Sequence, residues 1–361
     1  MSAPARRWAL VLGGGGVLGG AWTVGALTAL ELVHGVDARE AELLVGTSAG
    51  SVLAALLGAG VSVAELRDHQ LGTAATSGPL ARIGWDYEAA TGGPRPPRPR
   101  PGLGSAALIS RGGRELRALP PTAVAAALLP EGRGSLESVG RLVRDVQAAV
   151  GADAEQWSPH RGVRAVAMDY DTGRRVSFGD PAAPPAPLAE AVMASCAIPG
   201  WYSPVVLGGV RYVDGGAYSS TNLDLLAGSG VDEVFLLAPT VSFAPDRPTS
   251  VTARMERAWR AGVTRRCLRE VAVVHAAGTG VTVLGPGHED LAAIGGNLMD
   301  VGRRAAVLET SLRTTLAALR DPEPLAALVD AELSAPAGDG PVTVPGTTSV
   351  AGPAMASPEA D

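Results

Sequence analysis

The stretch Leu43-Leu44-Val45-Gly46-Thr47-Ser48-Ala49-Gly50-Ser51-Val52-Leu53-Ala54-Ala55-Leu56 decides how this chain is read. It opens as a short apolar run of strand length and closes as an apolar run of helical character. The corner between them is a G-x-S-x-G. At such an elbow a serine sits on a sharp strand-to-helix turn, its hydroxyl lifted clear of the sheet. Gly46 and Gly50 suit the corner because a Cβ at either position would collide with the neighbouring strand or helix. Ser48 then stands at the N-terminal end of the following helix, where developing negative charge is favoured. A serine in this place can also be a plain helix cap. With strand and helix present on the two sides, the nucleophile reading leads.

Upstream, Trp8-Ala9-Leu10-Val11-Leu12 reads as a short buried strand, followed by Gly13 to Gly16, Val17, Leu18, Gly19 and Gly20, then a helix from about Ala21 to Val33. Gly14 to Gly19 matches G-x-G-x-x-G and raises a dinucleotide-binding reading, with Glu40 or Glu42 as the ribose-binding acid. The same loop has a second use, since successive bare backbone amides can point at an oxyanion. The serine elbow lies in the very next strand-helix unit, so the oxyanion reading accounts for both motifs. The dinucleotide reading leaves Ser48 without a role.

Downstream of the elbow, Val61 to Leu71 is a short helix, and residues 77–105 are turn-rich. Gly92 to Pro101 is an extended, polyproline-like loop. Helical patterns over 106–119, 122–129 and 136–150 make about 77–150 a helical insertion over the sheet, placed to cap an apolar site. The sheet returns at Val163 to Met168, with a hairpin through Asp169–Gly173 into Arg174 to Phe178. A small-residue helix follows from Leu188 to Cys196. Strands are expected at 202–207, 210–213, 231–238 and 281–284, a long helix at 251–277, and closing helices over 300–328. One domain is expected over 1–332, with a disordered Pro/Ala-rich tail over 333–361.

Composition narrows the chemistry. In 361 residues the chain is 46% hydrophobic and 18% charged, enough to bury a sizeable core. A net charge of -6 offers no basic field to nucleic acid. All 30 basic residues are arginine, which removes a Walker-type phosphate lysine and a Schiff-base lysine. Two cysteines, Cys196 and Cys267, make neither a disulfide scaffold nor a zinc cage. Neither a metal nor an organic cofactor is expected. Arg6 and Arg7 before an apolar run resemble a signal peptide, but Gly13–Gly16 and Gly19–Gly20 break the run. No uninterrupted apolar stretch reaches bilayer length on this reading, and a soluble, cytoplasmic protein is expected.

A serine hydroxyl needs a partner to take its proton. Asp214 ends an alternating apolar strand and precedes Gly215-Gly216, although an Asp-Gly pair can also be a simple turn. Here the chain resembles the patatin-like phospholipases, Ser-Asp dyad lipid acyl hydrolases. The resemblance rests on Gly14-Gly15-Gly16-Val17-Leu18-Gly19, Gly46-Thr47-Ser48-Ala49-Gly50, Ala194-Ser195-Cys196-Ala197-Ile198-Pro199, and Tyr212-Val213-Asp214-Gly215-Gly216 with Asn222 after it. It spans about residues 8 to 240. It implies a three-layer α/β fold, with a mostly parallel central sheet and helices on both faces. It further implies Ser48 as nucleophile, Asp214 as general base and the amides of Gly14, Gly15 and Gly16 as the oxyanion hole.

The substrate it implies is a lipid or ester, met by transient contact with a membrane surface. The family often carries Arg or Lys within the glycine loop, where this chain has Val17 and Leu18. It usually has proline after the asparagine, where this chain has Leu223. One rival is a Ser-His-Asp esterase using Ser48, Asp214 and either His275 or His288, which follow the α/β-hydrolase chain order. Another is a non-enzymatic nucleotide-binding or scaffold protein on the same frame.

Overall fold

The computed structural model describes residues 7–83, 97–243 and 251–321, with backbone alone for 251–253. Residues 92–96 of the polyproline-like stretch, 322–328 of the closing region and the 333–361 tail therefore lie outside the described residues. Eight strands form one sheet: β1 (Trp8–Leu12), β2 (Leu43–Thr47), β3 (Val163–Asp169), β4 (Arg175–Phe178), β5 (Val205–Leu207), β6 (Val210–Asp214), β7 (Glu233–Leu237) and β8 (Gly280–Leu284). Parallel pairing joins β3, β2, β1, β7 and β8, while β4, β5 and β6 add antiparallel pairs.

The strands of the parallel part are apolar on both sides because both faces are covered. Leu10, Leu12 and Leu44 point into a core shared with helices α1 (Gly16–His34) and α2 (Ala49–Gly58) and with the helices Leu188–Cys196 and Arg304–Arg320. Their neighbours Ala9, Val11 and Val45 point the other way, onto Cys267, Val271 and Val274 of the helix Val251–Ala276. The result is helix, sheet, helix: an α/β fold with a mostly parallel central sheet, as the family resemblance implies.

Two departures from the sequence reading stand out. The stretch expected as one helix over 106–119 breaks into Ala106–Ser110 and Gly113–Arg117 around Gly112, whose φ is 72°. A helix at His288–Ile294 had no expectation at all. A third correction concerns length. Helix α1 has 19 residues with mean hydropathy 1.4, enough to cross a membrane by length and composition. In the fold, 78% of that window is buried, as suits the central helix of a core.

Register places the elbow. Residues Ala165 and Val166 of β3 pair with both β2 and β4, and Ala167 and Met168 pair with both β4 and β6. A strand has two edges, so β2 and β6 must share one edge of β3, arriving end to end from opposite directions. Thr47 is opposite Val166 and Asp214 is opposite Ala167. The last residue of β2 and the last residue of β6 are thus brought together by adjacent positions of a third strand.

The elbow fits only without side chains at its glycines. A Cβ on Gly50 would lie 1.9 Å from the Leu12 carbonyl oxygen, and one on Gly46 would lie 2.3 Å from that of Gly50. Gly50→Ala is therefore expected to cost at least about 3 kcal/mol. Gly35→Ala, at a φ of 65° with nothing within 4 Å of the new methyl, should cost only about 1 kcal/mol. Urea unfolding of the two variants checks this; equal losses would contradict the packing argument.

Candidate active site

Ser48 has φ 54° and ψ -126°, a backbone conformation that non-glycine residues rarely adopt. Such residues cost about 1–3 kcal/mol and persist where the surroundings hold them. The holding groups are identifiable. The Ser48 N–H donates to Ser195 Oγ at 2.9 Å, and the Ser195 hydroxyl donates onward to the Val166 carbonyl at 2.6 Å. The Ser51 hydroxyl donates to the Ser48 carbonyl at 2.7 Å. Thr47, just before the corner, accepts from Asn222 Nδ2 at 3.0 Å. Asn222 is the other non-glycine residue with positive φ among the described residues, at 50°.

Asp214 arrives beside this corner at the end of β6. Its own N–H donates to the Ala197 carbonyl at 2.9 Å, and its Oδ1 accepts from the Gly216 amide at 2.7 Å. A Cβ on Gly215 would meet the Val166 carbonyl oxygen at 2.4 Å, so only glycine lets the chain turn so close to β3. Ser48 and Asp214 are both buried, at 6% and 5% exposure. Burial pushes the Asp214 carboxyl up to about 6, against the lowering influence of hydrogen bonds from the Ser48 side chain and the Gly216 amide.

The glycine loop reaches the same spot from β1. Helix α1 starts at Gly16 and helix α2 at Ala49, so two helix N-termini, each carrying partial positive charge, converge on the Ser48 hydroxyl. The expected trio of loop amides needs one correction. The Gly14 N–H donates to the Ser220 carbonyl at 2.9 Å and is not free. The amides of Gly15 and Gly16 have no acceptor among the described residues. Gly14 has a different use: a Cβ there would come within 3.2 Å of Ser48 Cβ. Gly19 packs on the Pro239 ring, so it supports the loop from behind.

Two cavities meet at Ser48. One is apolar, walled by Val52, Leu53, Leu66, Leu136, Val139 and Leu142. The other, of about 520 Å³, holds Gly14, Gly15, Gly16, Ser48 and Asp214, with Thr122, Leu129, Ser220, Thr240 and Trp259 on its walls. Leu136 to Leu142 and Thr122 to Leu129 both belong to the helical segment between the elbow and β3.

Several sequence candidates fall elsewhere. His275 and His288 are exposed, and none of the five histidines lines either cavity that contains Ser48. Glu42 is taken up in an ion pair with Arg7, 2.7 Å from its Nε. Cys196 lines the apolar cavity, but burial holds its thiol far above its ordinary range, so it stays protonated. Ser195 and the hydroxyls of Ser220 and Thr240, which have no hydrogen-bond partner among the described residues, had no assigned role in the sequence reading. Their positions follow from contacts across nearly the whole chain, and only the quoted Ala194–Pro199 motif hinted at the first.

A family model described as patatin-like phospholipase matches residues 10–227. No curated protein matches the sequence. Among solved structures, VipD from Legionella pneumophila is similar at 14% identity and a TM-score of 0.40, covering 88% of this chain and 67% of that one.

The buried carboxyl makes a stability prediction. Its folded pKa of about 6 lies above the ordinary 3.8, so the folded state holds the proton more tightly than the unfolded one. Stability from this group is therefore full below pH 4 and falls as pH rises through 6. The shift corresponds to about 3 kcal/mol. Asp214→Asn should exceed wild type in stability by up to about 3 kcal/mol at pH 8, with the gain vanishing near pH 4. Denaturant unfolding of both proteins across this range tests it; a gain independent of pH would refute the assignment.

Proposed function

This chain belongs to the patatin-like phospholipase family, whose activity is lipid acyl hydrolysis, and from that premise we propose that it cleaves carboxylic esters of lipids through Ser48 and Asp214. The observation that carries the reading is the buried Ser48–Asp214 pair standing where two cavities meet. Ser48 Oγ attacks the ester carbonyl while Asp214 takes its proton. The tetrahedral oxyanion forms at the paired helix N-termini, where the Gly15 and Gly16 amides donate to it. Asp214 returns the proton to the leaving alcohol. Water, deprotonated by the same carboxylate, then releases the fatty acid and frees Ser48.

An aspartate is ordinarily too weak a base for this task, and burial corrects that. A carboxylate that titrates near 6 is better matched to a serine proton than one at 3.8. The apolar cavity of Val52, Leu53, Leu66, Leu136, Val139 and Leu142 suits the acyl chain, which leaves the larger cavity to the alcohol half. Leu128, Leu129, Met255 and Trp259 are exposed, and Leu129 and Trp259 line the larger cavity as well. We assign this rim to transient contact with a lipid surface in the cytoplasm, through which substrate enters. No metal or organic cofactor has a part in these steps.

Ser48→Ala and Asp214→Asn should each lower kcat by at least about 10³-fold on a soluble short-chain ester. His275→Ala and His288→Ala should keep wild-type activity, whereas a loss in either would favour the histidine triad. Wild-type kcat/KM should rise about tenfold per pH unit up to about pH 6 and then level off, because only the ionised Asp214 accepts the proton. A fluorophosphonate probe should label wild type and spare Ser48→Ala. Ester hydrolysis surviving in Ser48→Ala would overturn the reading.

A further inference from the structure

The larger cavity does not end at Asp214. A second recess of about 340 Å³ shares Thr122, Gly216, Ser220 and Trp259 with it, and its other side carries Arg265, Arg266 and Arg269. All three arginines come from the helix Val251–Ala276, beyond the 10–227 stretch matched by the family. Arg265 and Arg269 stand four residues apart on that helix, a like-charge spacing that works against it. Among the described residues neither has a carboxylate partner; Arg269 Nε donates to the Arg265 carbonyl at 3.3 Å.

Arg266 is fixed more firmly. Its Nε donates to buried Glu270 at 3.1 Å, and its guanidinium lies 4.6 Å from the centre of the Tyr218 ring. Arg175, itself held by Asp224 at 2.6 Å, lies 4.4 Å from the same ring. The Nη groups of Arg266 have no acceptor among the described residues. At the shared wall, the Ser220 hydroxyl is buried with no hydrogen-bond partner among the described residues. The recess thus gathers positive charge and spare donors on a chain whose net charge is -6.

Among the described residues, no cationic side chain lines either cavity that contains Ser48. An anionic group on a bound ester therefore meets its counter-charge in the adjoining recess. Guanidinium forks match the oxygens of a phosphate or phosphodiester and pair with them in two-pronged fashion. Resting on the Ser48 hydrolase reading, we propose that Arg265, Arg266 and Arg269 form a subsite for a phosphate carried on the alcohol half of the substrate. The acyl half occupies the apolar cavity, and the ester carbonyl lies between them at Ser48.

The test compares two monomeric esters of one short acyl chain, a 1-acylglycerol 3-phosphate and the matching uncharged 1-acylglycerol, both below aggregation. In Arg265→Gln/Arg269→Gln the ratio of kcat/KM, phosphate ester over uncharged ester, should fall about tenfold from wild type, the size of one lost charge-assisted hydrogen bond. A ratio within about twofold of wild type, in a variant with unchanged circular dichroism, would overturn the subsite. So would an effect seen only on anionic vesicles, which would mark a membrane-docking patch. Calorimetry with glycerol 3-phosphate and inorganic phosphate on Ser48→Ala reads the recess without turnover. Glycerol 3-phosphate should bind more tightly than inorganic phosphate, and the arginine substitutions should weaken it. Equal binding of the two would identify a free-phosphate site and overturn the proposal. Ester cleavage without arginine-dependent binding sinks the subsite alone; arginine-dependent binding without cleavage sinks the hydrolase reading alone.

Discussion

The site depends on one backbone carbonyl, that of Val166. Strand β2 ends opposite it, because the chain turns away at Ser48 instead of continuing along β3. A sheet carbonyl abandoned in mid-ladder and buried would cost free energy unless another donor reached it. The Ser195 hydroxyl is that donor, and the same oxygen accepts the Ser48 N–H, so one side chain stands in for the missing strand residue. Gly215 packs against the same carbonyl as β6 delivers Asp214. Remove the carbonyl's position from the fold and the serine corner, its support and its carboxylate lose their common reference.

Parts of this were legible in the sequence for plain physical reasons. The elbow showed itself because a short apolar run, two glycines and a second apolar run sit next to one another, even though the groups that hold the corner, Leu12, Ser195 and Asn222, are distant in sequence. The strands β1, β3, β6 and β7 were visible as apolar runs bounded by glycine or aspartate. The helix His288–Ile294 was hidden by the Gly285-Pro286-Gly287 run before it and by its seven-residue length. What starts it is Asp290 accepting from the Gly287 amide at 2.9 Å, a signal too common to read alone.

The finer chemistry was illegible because it depends on distant partners. Gly14 and Gly15 look alike in sequence, yet one amide is tied to the carbonyl of Ser220 and the other is not. The arginines of the long helix make the same point. Arg260 is 1% exposed and donates to the Pro239 carbonyl at 3.0 Å, serving the core, whereas Arg265 and Arg269 are exposed. Nothing in the spacing Arg260, Arg265, Arg266, Arg269 announces which of them faces protein. That is settled by where β7 ends and by which side of the helix it leaves open.

Helix α1 carries a consequence for how the protein is made. It is apolar along its length, and its outer side is covered by the helix Arg304–Arg320: the Ser311 hydroxyl donates to the Trp22 carbonyl at 2.6 Å, across 289 positions of sequence. A ribosome adding about 5–20 residues per second needs roughly 15 to 60 s to supply that cover. Throughout that interval the nascent chain displays a rod that satisfies the length and hydropathy of a bilayer span. Until the helix Arg304–Arg320 is made, the apolar outer side of α1 lacks the cover it has in the folded protein, so the last turns of the described chain complete the burial of one of its first helices.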